Sequence, residues 1–100
     1  MRISAIEIER IKELSIKVFG AGTKVFLYGS RVDDRIKGGD IDLLISNTNK
    51  EKLTISAKVL YLEELKRIIG DQKIDIEFDS NSFKTKSLFY KTIKREALEL

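Results

Sequence analysis

Apolar and polar residues alternate along this chain with two periods, one near 3.6 and one of 2, and the switches between them mark its elements. Ile8, Ile11, Leu14 and Val18 recur at helical spacing, and Ser4-Ala5-Ile6-Glu7 ahead of them has the spacing of a capping box. This predicts a helix ending near Phe19, where Gly20 and Gly22 supply a turn. A short apolar run, about Lys24 to Tyr28, then reads as a strand that stops at Gly29-Ser30. The next stretch, Arg31 to Gly39, is polar, with room for one helical turn after Ser30. A second strand runs from Asp40 to about Ser46. Thr48-Asn49-Lys50-Glu51 offers another capping box, opening a helix of about twenty residues that carries Leu53, Ala57, Leu60, Leu65, Ile68 and Ile69 and closes at Gly70. From Lys73 to Phe78 the period is 2, with Ile74, Ile76 and Phe78 on one face and Asp75 and Glu77 on the other. Asp79-Ser80-Asn81-Ser82 provides N-caps for a last helix in which Phe83, Leu88, Tyr90, Ile93 and Ala97 face inward.

The expectation is an α+β fold of order αβαβαβα. A three-stranded sheet carries helices on one face, and its other, acidic face is open. One hundred residues without repeat or linker make a single domain over 1–100, because half that length buries too little core.

Composition narrows the chemistry. Histidine and cysteine are absent, which removes disulfides, thiolate metal sites and the commonest general base. No run approaches the roughly 20 apolar residues that span a bilayer, and no signal-peptide stretch opens the chain, so a cytoplasmic protein is expected. The net charge of +3 suits an anionic ligand, but acids and bases are interleaved, which argues against direct nucleic-acid binding.

The acidic residues gain meaning from their places on the strands. Asp40 and Asp42 fall on one strand face with Cα atoms roughly 7 Å apart. If the first two strands pair antiparallel, Gly29 and Ser30 lie beside them; if the third strand is the second's neighbour, Asp75 joins them. Three carboxylates there repel one another unless a cation intervenes, and hard oxygen ligands suit Mg²⁺ or Mn²⁺. Gly29 lets a phosphate approach the main chain, and Ser30 can present a hydroxyl and free N–H groups to it. Phosphate beside metal is what phosphoryl or nucleotidyl transfer needs. Singly, each feature has a plain reading: a turn, a solvated acidic pair, the wet side of an amphipathic strand. Arg31, Arg35 and Lys37 likewise offer either phosphate contacts or a solvated loop. Their coincidence in this order favours the chemical reading.

Gly29-Ser30, nine intervening residues and Asp40-Ile41-Asp42 resemble the signature of the nucleotidyltransferase superfamily that includes DNA polymerase beta. Tyr28-Gly29-Ser30-Arg31-Val32-Asp33-Asp34 with Gly38-Gly39-Asp40-Ile41-Asp42-Leu43 is similar to its small prokaryotic branch, the minimal nucleotidyltransferases or MNT domains. Many members have serine where this chain has Gly39. The resemblance implies a nucleotidyltransferase fold and Mg²⁺-dependent transfer of a nucleoside monophosphate, usually AMP from ATP. By the same resemblance Asp40 and Asp42 hold the metals and Gly29 and Ser30 contact the triphosphate. Asp75 is the third carboxylate, which activates the acceptor hydroxyl, with Glu77 as its alternative. Larger relatives carry a second domain that grips the acceptor, so the resemblance also implies a partner: a small helical HEPN protein, paired with the MNT member as toxin and antitoxin and adenylylated on a tyrosine. The competing expectations are a binding module that neutralises its partner by occlusion, and transfer to a small molecule with help from another domain.

Overall fold

The structure, a computed structural model, describes residues 3–32, 40–70, 72–79, 91 and 95–100, with the side chains of Ser30 and Arg31 outside that set. Helix α1, Ala5–Phe19, begins with the expected capping box: Ser4 Oγ accepts from Glu7 N and Glu7 Oε1 accepts from Ser4 N, both at 3.1 Å. Gly20, at φ +99°, ends it. Strands β1, Lys24–Tyr28, and β2, Ile41–Ser46, follow and pair antiparallel, with a 3₁₀ turn over Gly29–Val32 leaving the first. Helix α2, Ile55–Ile69, leads into β3, Ile74–Phe78, which pairs parallel with β2.

Two expectations are corrected. Among the described residues the sheet has four strands, in the order β3-β2-β1-β4, because Leu98–Glu99 forms a short β4 antiparallel to β1 and Leu100 N donates to Val25 O at 2.9 Å. Two residues pairing through their main chain have no side-chain period to announce them. The long second helix is also shorter than expected. Asn49 caps only a 3₁₀ turn over Lys50–Lys52, and the α-helix starts afresh after Thr54, whose hydroxyl accepts from Ala57 N at 3.1 Å. Most of the expected last helix, residues 80–90 and 92–94 with Phe83, Leu88, Phe89, Tyr90 and Ile93, lies outside the described residues. Ala97, assigned to it, is not helical and packs beside Tyr28 and Leu44.

Both helices cover one face of the sheet. Ile11, Leu14 and Phe19 from α1 and Tyr61 and Leu65 from α2 close over Val25, Leu27, Leu43, Ile45, Ile74 and Ile76. In α2 the buried residues are Tyr61 and Leu65, while Leu60 and Ile68, expected inside, are exposed. Leu60, Tyr61 and Leu62 are all apolar, so spacing alone leaves the helix rotation undecided. Burial fixes it, with Tyr61 edge-on to Phe19 and its hydroxyl donating to Ile11 O at 3.0 Å. The buried amide of Asn47 ties the opening of β1 to the close of β2: its Nδ2 donates to Phe19 O, Ala21 O and Thr23 Oγ1, and its Oδ1 accepts from Asn49 N. Among the described residues no helix is long and apolar enough to cross a membrane.

Candidate active site

Strand register brings the acidic residues together. Tyr28 stands opposite Asp42 across the antiparallel pair, and Asp42 stands beside Asp75 across the parallel one. The exit of β1 and the entrances of β2 and β3 therefore share one end of the sheet, and Gly29 follows Tyr28 directly at that end. Asp40, one residue ahead of β2, completes the group: carboxylate oxygens of Asp40, Asp42 and Asp75 lie within 4.8 Å of one another. Glu77 pairs with Leu44, two steps further along β3, and stands outside this cluster.

Electrostatics at this corner favour a cation. Partial burial first, then the charges of Asp75 and Asp40 and a hydrogen bond with Asp75, raise the Asp42 pKa to about 6. At neutral pH the group is ionised only against this opposition. Lys73 counters it, its ammonium 3.4 Å from Asp40 Oδ2. The Tyr28 hydroxyl is pushed up by burial and then by Asp42, Glu77 and Asp75, so it stays protonated and available as a donor.

Gly29 meets two constraints that another residue fails. Its φ of +77° lies in the left-handed region, and a Cβ built on it runs into Asp42 Oδ2, with Asp42 Cγ only 3.3 Å away. The glycine thus lets the β1 main chain pass against the carboxylate. The 3₁₀ turn that begins here supplies the helical turn expected near Ser30. Side chains of Ser30 and Arg31, and all of Arg35 and Lys37, lie outside the described residues.

A cleft of about 730 Å³ opens beside this corner. Tyr28, Gly29, Asp42 and Asp75 line it, and so do Lys58 and Leu62 of α2. Its volume falls in the range of small-ligand sites. The acidic face is not the open surface expected. Leu44 is fully buried and Tyr28 nearly so, with Phe26 and Ala97 packed against them. Sequence reasoning missed Lys73, Tyr28, Lys58 and Leu62 as site residues. For Lys73 the signal was present, since the alternation that aligns Asp75 with Glu77 also aligns Lys73, two residues earlier.

The donor set fits a hard divalent ion. It is all oxygen, carboxylate-rich and close enough for one ion or a bridged pair, and the ionised form of its central member is disfavoured without a positive charge. Compared with known proteins, the chain matches no protein-family model and no curated protein.

Proposed function

We propose that this protein is a Mg²⁺-dependent nucleotidyltransferase that moves AMP from ATP to an acceptor hydroxyl, on a helical HEPN-type partner that it silences as an antitoxin. The observation that supports it most is the meeting of Asp40, just ahead of β2, with Asp42 on β2 and Asp75 on β3, beside a glycine whose missing side chain leaves room for the Asp42 carboxylate. In this reading the three carboxylates hold Mg²⁺, which when bound neutralises charge building on the phosphates. Gly29 and Ser30 take the triphosphate. Asp75, the most exposed acid, accepts the acceptor's proton as its oxygen bonds to the α-phosphorus and the bond to pyrophosphate breaks.

Labelled ATP, Mg²⁺ and the product of the neighbouring open reading frame test the proposal together. Label transferred to that protein, and lost in Asp42→Asn, supports it; no label on any candidate acceptor overturns it.

The occluding antitoxin remains the second reading, favoured by the exposed Ile55 and Val59 on α2, 78% and 49% accessible. Neutralisation that survives Asp40→Asn combined with Asp42→Asn decides for it.

A further inference from the structure

The geometry points to Lys73 as a tethered placeholder cation, which holds Asp40 in the metal-free protein and must give way when a divalent ion enters. The inference rests on the reading of Asp40, Asp42 and Asp75 as metal ligands and assigns a role to a residue outside that set.

Backbone pairing carries the first part of the argument. Lys73 O accepts a hydrogen bond from Ile41 N at 3.0 Å, extending the β2–β3 ladder one step beyond the pair of Ile41 with Ile74. Lys73 is therefore fixed beside the start of β2 rather than carried on a free loop. From there its ammonium reaches 3.4 Å from Asp40 Oδ2, on a carboxylate that belongs to the cluster. Among the described residues the other ion pairs are helical neighbours away from this corner.

Exposure carries the second part. The Lys73 side chain is 74% accessible and that of Asp40 35%, so the pair is wet and weak and can be broken at small cost. A buried partner would block the site; an exposed one on a flexible stem holds the oxygens together against their repulsion and then leaves. Lys73 is then the cation at Asp40 until a divalent ion enters. Metal affinity measured without nucleotide must include the work of displacing it.

Titration calorimetry of Mn²⁺ into the full chain at pH 7.5 without nucleotide tests this, with circular dichroism to show that each variant is folded. Lys73→Met binds Mn²⁺ about two- to fivefold tighter than wild type, the range set by an exposed ion pair. Lys73→Arg, which keeps the charge and reach, binds like wild type. Lys58→Met removes an equal charge from the cleft lining, where the ammonium lies 6.0 Å from the Phe78 ring centroid, and changes affinity less. The Lys73→Met advantage shrinks at about 0.5 M salt, where exposed charges are screened. Equal or weaker binding by Lys73→Met, or an equal gain in Lys58→Met, overturns the role of Lys73 alone. Failure of wild type and every variant to bind Mn²⁺ removes the metal reading, and the placeholder with it.

Discussion

The two faces of β2 are built from alternate residues of one six-residue strand and have opposite characters. Ile41, Leu43 and Ile45 point to the helices and are fully buried in the main core. Asp42 points the other way, into a corner where its ionised form is opposed by burial and by two neighbouring acids. One face gains stability from what it hides, and the other gives some up to hold like charges together. Because both hang from the same backbone, the rigidity of the first positions the second. The contrast predicts that changes on one face raise stability while destroying chemistry, and that changes on the other do the reverse.

Asp42→Asn gives the largest effect. The proposed AMP transfer, followed by label incorporation into the proposed acceptor, is expected to fall by about three orders of magnitude or more, as for loss of a metal ligand and charge-positioning group. Thermal denaturation of the same metal-free variant at pH 7.5 shows a gain on the order of 1 kcal/mol, because the amide lifts the repulsion. Ile45→Ala inverts the pattern: it loses about 2–5 kcal/mol in urea titration, while the folded fraction keeps its Mn²⁺ affinity. Gly29→Ala joins the two faces, costing at least about 1–2 kcal/mol for the left-handed backbone and weakening metal binding by pushing Asp42 aside.

Acidity provides the finest probe. The folded-state pKa of Asp42, about 6, lies above its ordinary value of 3.8, so the folded chain holds this proton more tightly than the unfolded one. That contribution is full below about pH 4 and is lost as pH rises through 6. Metal-free melting curves should show a decline of about 1 kcal/mol across this window, after allowance for solvent screening, and Asp42→Asn should remove it. Mg²⁺ should raise the melting temperature more at pH 7.5 than at pH 5, where it must first displace the proton.

The sequence was most legible where side chains repeat. The capping box of Ser4 and Glu7, the bounds of β1 and the alternation of β3 each contain enough periodic positions to place an element within a residue. The antiparallel β1–β2 pair and the neighbouring β3 were conditions of the site reading, and both are present in the sheet. Legibility failed where main-chain bonds or competing caps decide. Thr54 caps the helix in place of the expected box at Thr48-Asn49-Lys50-Glu51, where the chain makes only a 3₁₀ turn. Strand β4 has no pattern to read, and the cover over Leu44 comes from Phe26 and Ala97, far apart in sequence. Lys73 was visible by period but lacked meaning until its register beside Asp40 was known.

Asn47 has no part in the chemistry, yet its four hydrogen bonds fasten α1's end and β1's entry to the chain just beyond β2. In a sheet, sliding a strand by one place exchanges its two faces. A slip of β2 would send Asp42 among the isoleucines and leave Leu43 facing Tyr28 and Asp75 at the acidic corner. The single carboxamide therefore helps to hold the register in which Asp42 and Asp75 stand side by side.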